Sequence, residues 1–276
     1  MTRSVRRTHR IPRTARVAGA GAAALLALSA CSSSSDTDSE SAGASSSSSG
    51  KLSGQVTVFA AASLKESFTT LGETFEKQHP GTEVTFNFGG SDTLAASITG
   101  GAPADVFASA SPKTMATVTD AGATAGTPAT FVRNQLEIAT LPGNPEHISS
   151  LKDLTDSGLK VVLCDRTVPC GAAARKALDA GGLDLTPVSY EQDVKAALTK
   201  VELKEADAAV VYKTDVKAAG GKVTGVDFPE SAKAVNDYPI TLLKDAPNAD
   251  AARAFVELVK SAEGQRVLTG AGFRTP

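Results

Sequence analysis

Residues 52–276 predict an α/β fold in which short buried strands repeatedly hand the chain to the start of a helix, and three segments carry that expectation. In the first, Val56, Val58 and Ala60 alternate with Thr57 and Phe59 as an apolar strand, and Leu64, Phe68, Leu71 and Phe75 then recur at i, i+4, i+7 and i+11 as one helical stripe. In the second, the alternating segment 83–88 runs into Gly89-Gly90-Ser91-Asp92-Thr93-Leu94, with Leu94 and Ile98 opening another apolar face. In the third, the apolar segment 160–164 leads through Cys164-Asp165-Arg166-Thr167-Val168-Pro169-Cys170-Gly171 into an alanine-rich helix at 172–180. Ligands of open α/β sheets bind beyond the strand carboxyl ends, where helix N-termini offer unpaired N–H groups and partial positive charge.

The first crossover places Ser63 before the helix with Glu66 three residues on, the pattern of a capping box. On that stretch alone Ser63 reads either as an N-cap or as an anion contact. Ser91 repeats the arrangement after two glycines that let backbone approach a ligand, and it too reads as a cap or as a site.

The chain ahead of the folded part has a different composition. Residues 1–30 hold six arginines and no acid, then an apolar run from 17 to 30, as an export signal does. The run ends in Leu28-Ser29-Ala30-Cys31, which resembles the lipobox of bacterial lipoproteins; the resemblance implies removal of residues 1–30 and lipidation of Cys31. Residues 31–51 are dominated by Ser, with Ala, Gly, Asp, Thr and Glu, cannot bury a core, and are expected to form a flexible tether. A diacylated cysteine would hold the protein at the extracellular face of the cell membrane.

Charge and histidine content narrow the chemistry. Without the six signal arginines, 22 basic side chains face 30 acidic ones, a net charge of −8. A chain this acidic and without a basic run is a poor nucleic-acid binder, and no nucleic-acid partner is expected. Only His79 and His147 remain after the signal, at separated positions, which disfavours a metal cluster or a Ser-His-Asp triad. A serine hydrolase using Ser63 or Ser91 lacks a G-x-S-x-G, an S-x-x-K or a placed histidine.

Further elements follow in order. Gly101-Ala102-Pro103-Ala104-Asp105-Val106-Phe107-Ala108 is a turn into a third strand, and Pro112 opens a helix to about 120. Residues 136–141 form an apolar strand, and 151–156 a short helix. Cys164 and Cys170, six apart in an exported chain, suggest a disulfide, with two free buried thiols as the alternative. Asp193 caps a helix striped by Val194, Leu198 and Val201. The strand 208–212 ends in Tyr212, either a half-buried tyrosine or a hydroxyl donor projecting into a cleft. Residues 250–260 make an amphipathic helix, and a shorter one lies near 265–268.

The segments Phe59-Ala60-Ala61-Ala62-Ser63-Leu64, Gly89-Gly90-Ser91-Asp92-Thr93-Leu94-Ala95 and Gly101 to Ala110, in this order, resemble the periplasmic molybdate-binding proteins that feed ABC transporters. The resemblance covers nearly all of the folded part. It implies a type II periplasmic-binding-protein fold: two α/β lobes, 52–135 with 236–276 and 136–235, joined by two crossing strands with the ligand in the cleft. It implies no catalysis, no cofactor, a monomer, an ABC transporter permease as partner, and molybdate or tungstate as ligand, molybdenum being held as its oxyanion without direct protein ligands. Carried over residue by residue, Ser63 and Ser91 give hydroxyl and backbone N–H, Cys170 a backbone N–H where relatives have alanine, Val194 a backbone N–H, and Tyr212 its hydroxyl. The alternatives within the same fold are sulfate, phosphate or another small oxyanion. Hydrogen phosphate carries a proton and needs an acceptor, which Asp92 could supply unless it only supports its helix start.

Overall fold

The computed structural model describes residues 51–276. The export signal at 1–30, the lipidated Cys31 and the tether lie outside the described residues. The elements in order are β1 (Gly54–Ala61), α1 (Lys65–Gln78), β2 (Thr82–Gly89), α2 (Ser91–Thr99), β3 (Val106–Ala108), α3 (Pro112–Asp120), β4 (Ala129–Asn134), β5 (Leu136–Thr140), β6 (Val161–Cys164), α4 (Pro169–Gly181), β7 (Ser189–Glu191), α5 (Val194–Glu202), β8 (Ala208–Tyr212), α6 (Lys213–Ala219), β9 (Thr224–Val226), β10 (Asn236–Leu242), α7 (Ala249–Lys260) and α8 (Ala262–Gly270). Among the described residues no helix is long and apolar enough to cross a membrane.

The strands form two five-stranded sheets of matching design, ordered β2-β1-β3-β10-β4 and β7-β6-β8-β5-β9. In each, the first three strands are parallel and the fourth runs antiparallel to them. That fourth strand is the one that arrives from the other half of the chain: β5 follows β4 across Gln135 into the second sheet, and β10 returns to the first. Since parallel strands β1, β2 and β3 in one sheet and β6, β7 and β8 in the other end where their following segments turn, six strand carboxyl ends gather around one cleft.

Each half closes on its own core. In the first, Phe68 of the α1 stripe is fully buried and meets Phe131 and Phe255 with ring centroids 5.9 and 6.0 Å away. Burying each such ring stabilises the half by roughly 2–3 kcal/mol, so Phe68→Ala would cost about 3–5 kcal/mol. Asp105, also buried, accepts the backbone N–H groups of Thr57 (2.7 Å) and Asn248 (2.6 Å), and so ties β1 to the start of α7. The second half packs Val210, Val211 and Leu198 with the apolar face of α4.

Several expectations change. The capping box at Ser63 does not form: residues Ala62–Leu64 wind as a 3₁₀ turn, Leu64 becomes the boundary residue of α1, and the Ser63 hydroxyl meets Tyr238 instead. The alanine-rich helix begins at Pro169, three residues earlier than its composition indicates, because proline fits a first helical turn; Cys170 is therefore inside the helix. Residues 151–156 hold only a 3₁₀ turn at Asp153–Thr155. Strands β4 and β9 and helix α6 carry no strong period in the sequence and emerge only through their pairing and packing.

Candidate functional site

Ser63, Ser91, Cys170, Val194 and Tyr212 all line one small cavity of about 20 Å3 between the two sheets. Each sits where a parallel strand hands over to the next segment, and each is almost wholly shielded from solvent. Ser91 is the first residue of α2, Cys170 the second of α4, and Val194 the first of α5. Amides in a first helical turn have no acceptor within their own helix, so these three backbone N–H groups, with that of Ser63 in its 3₁₀ turn, are open to a ligand. The positive ends of three α-helices converge on the same cavity.

The three hydroxyls are held by the protein. Ser91 Oγ accepts the Ala110 N–H at 3.0 Å, Tyr212 Oη accepts Asn236 Nδ2 at 2.9 Å, and Ser63 Oγ lies 2.9 Å from Tyr238 Oη. Burial, together with the neighbouring Tyr238, pushes the Tyr212 phenol well above its ordinary pKa, so it stays protonated and able to donate. No lysine or arginine lines the cavity. Asp193 is the one carboxylate in the lining, and its Oδ1 accepts the Lys195 and Ala196 N–H groups at 2.8 and 3.0 Å as the cap of α5. Asp92 stays outside: one carboxylate oxygen faces Thr167 Oγ1 at 3.4 Å across the cleft mouth.

Residues 56–274 match the bacterial extracellular solute-binding protein family over most of the chain. The chain belongs to this family. Its relatives include the molybdate-binding protein ModA of Mycobacterium tuberculosis, 47% identical over 221 residues that cover 80% of this chain and 85% of that protein. Among solved structures, the periplasmic molybdate-binding protein of Azotobacter vinelandii superposes with a TM-score of 0.71 at 21% identity, over 80% of this chain and 99% of that one. The sulfate-binding protein SubI of Mycobacterium tuberculosis superposes with a TM-score of 0.68 at 18% identity, over 80% and 86%. At those identities the two structures establish the type II periplasmic-binding-protein fold alone.

Both halves contribute to the lining of the cavity. Ser63, Ser91 and Ala110 come from the half built on the first sheet, and Cys170, Val194 and Tyr212 from the other. Cys164 and Cys170 are joined by a disulfide with Cα atoms 5.8 Å apart, which ties the end of β6 to the first turn of α4. Among the described residues no group of three or more His, Cys, Asp or Glu side chains could hold a metal ion. Sequence reasoning overlooked Ala110, Asn134, Asn236 and Tyr238. Nothing local to Ala110, Asn236 or Tyr238 says that they meet residues 19, 24 and 175 positions away.

Proposed function

We propose that this protein binds molybdate or tungstate outside the cell and delivers it to an ABC transporter permease. The observation that carries the reading is the cavity itself: four helix-start or turn amides and three hydroxyls with no buried cation among them. A tetrahedral dianion that bears no proton at neutral pH offers acceptors on every oxygen. Neutral N–H and O–H donors satisfy it without desolvating a lysine or arginine, and the helix termini supply the compensating positive potential. The 47% identity to ModA supports molybdate in particular.

Residues 52–135 with 236–276, and 136–235, act as two lobes that close on the ligand about the crossings near 135 and 236. Leu28-Ser29-Ala30-Cys31 supports a lipid anchor at Cys31 with residues 31–51 as tether, and Cys31→Ala should then release the protein into the medium. The protein acts as a monomer, each cavity being complete within one chain.

Isothermal titration with molybdate, tungstate, sulfate and phosphate at neutral pH tests the function. One-to-one binding of the first two, unaffected by the others, is expected. Ser63→Ala and Tyr212→Phe should each weaken it about 10- to 100-fold, the worth of one hydrogen bond to a charged acceptor. Preference for sulfate or phosphate would overturn the ligand, and no binding at all would overturn the function.

A further inference from the structure

Asn134 and Asn236 face each other in register where the two strands of the first sheet, β4 and β10, meet the crossing between the halves. Neither lines the cavity. Each nevertheless controls one of its hydroxyls.

The orientation of each amide is fixed by a backbone group that permits only one choice. Asn236 Nδ2 lies 2.8 Å from the Ala110 carbonyl oxygen. A carbonyl only accepts, so the amide nitrogen must face it. The same nitrogen lies 2.9 Å from Tyr212 Oη, so the tyrosine accepts there and its own proton is left for the cavity. Asn134 Oδ1 accepts the Gln135 N–H at 3.0 Å, which turns Asn134 Nδ2 toward Thr214 Oγ1 (2.8 Å) and Tyr238 Oη (3.4 Å). The 2.9 Å distance lets either hydroxyl of the Tyr238–Ser63 pair donate; with Asn134 donating to it, Tyr238 has Ser63 Oγ as the acceptor for its own proton, the direction that leaves the Ser63 proton free. Ser91 is fixed directly, since the Ala110 amide can only donate to it.

We infer that Asn134 and Asn236 are positioning residues that orient the Tyr212 and, through Tyr238, the Ser63 hydroxyl as donors toward the cavity. The inference rests on the oxyanion reading above and deepens it. Asn236 also bonds the first half through Ala110 and the second through Tyr212, so the hydroxyl is set only when the halves meet.

A double-mutant cycle read by titration with molybdate, sulfate and phosphate tests this. Asn236→Ala should weaken molybdate binding about tenfold in the native background and less than twofold when Tyr212→Phe is already present, because it acts through that hydroxyl. Should Asn236→Ala fail to fold, Asn134→Ala against Ser63→Ala reads the same coupling through Tyr238. Equal losses in both backgrounds would mean that the asparagines act by packing and would overturn the inference. Sulfate binding in place of molybdate, with the same non-additivity, would overturn the molybdate reading while supporting this one. Failure to bind any of the three anions would overturn both.

Discussion

Lys195 Nζ reaches across the cleft to Glu66, 2.9 Å away, joining the first turn of α5 to the first turn of α1. Its second partner, Asp215 of α6, lies 3.2 Å away and is fully buried. Burial opposes the charge on Lys195, but Asp215 and Glu66 outweigh it and raise its pKa. The ammonium stands one residue from Val194 and yet outside the cavity lining, so it braces the wall without contacting a ligand.

Lys195→Met would strand the Asp215 carboxylate without its cation. Losing one partner of a fully buried pair costs about 3–5 kcal/mol, and the partial exposure of Lys195 reduces this to about 2 kcal/mol. The variant should unfold at a lower temperature at pH 7. Lys195→Met combined with Asp215→Asn should recover most of the loss, because no buried charge is then left unpaired. A double variant as unstable as the single one would show that the lysine acts through its packing.

Asp215 itself gives stability a pH dependence. Burial raises its pKa to about 6 against the favourable pull of Lys195, from 3.8 in an unfolded chain. The folded state therefore holds the proton more tightly. This group's contribution is fully present below pH 3.8 and is lost as pH rises through about 6, a change on the order of 3 kcal/mol. The difference in unfolding free energy between the native protein and Asp215→Asn should move in the variant's favour from pH 4 to pH 7. Denaturant titrations at pH 4, 5, 6 and 7 measure it, and a constant difference would contradict the assignment.

Gly90 lies at the cleft mouth with an ordinary negative φ, so its role is spatial. A Cβ placed there would stand 2.5 Å from the Gln192 carbonyl oxygen of the other half. Within its own half the new Cβ would meet only the end of the Asp92 side chain, at 2.8 Å, so Gly90→Ala should chiefly hinder closure. Molybdate binding should weaken by more than tenfold while thermal unfolding without ligand changes by less than about 2 °C, since opening the cleft relieves the backbone contact. Unchanged affinity would show that the halves bind without this contact.

The disulfide closes a short loop that delivers the Cys170 amide, and α4 crowds that loop so tightly that a side chain at Gly171 would collide with the Asp165 carbonyl. Closing a loop of this length is worth about 2 kcal/mol in the chain-entropy account. Cys164→Ser with Cys170→Ser, or reduction, should lower the melting temperature by about 5 °C and weaken molybdate binding several-fold. Calorimetry with and without reductant checks both, and an unchanged melting temperature would remove the bond's stabilising role.

Much of the site was legible because its donors sit at fixed places in local patterns. A strand followed by glycine and serine marks a helix-start amide, and Ser91 follows from that pattern, whereas Cys170 and Val194 as donors rest on the family resemblance. Ser63 was legible as a position but open locally between a cap and a contact, because the same serine before a helix can satisfy either the helix or a distant tyrosine. Asn134, Asn236 and Tyr238 were not legible: their partners lie 24 to 175 residues away along the chain, and an asparagine in a strand has no periodic signature.

The sequence by itself determined the alternation of strands and helices and the strand-to-helix turns that carry the candidate donors, since these depend on residues close together in the chain. Only the tertiary structure decided which hydroxyls accept and which donate, and that a buried aspartate and a lysine brace the cleft. Hydrogen-bond direction and pKa depend on the neighbours that folding supplies, and here those neighbours come from both halves of the molecule.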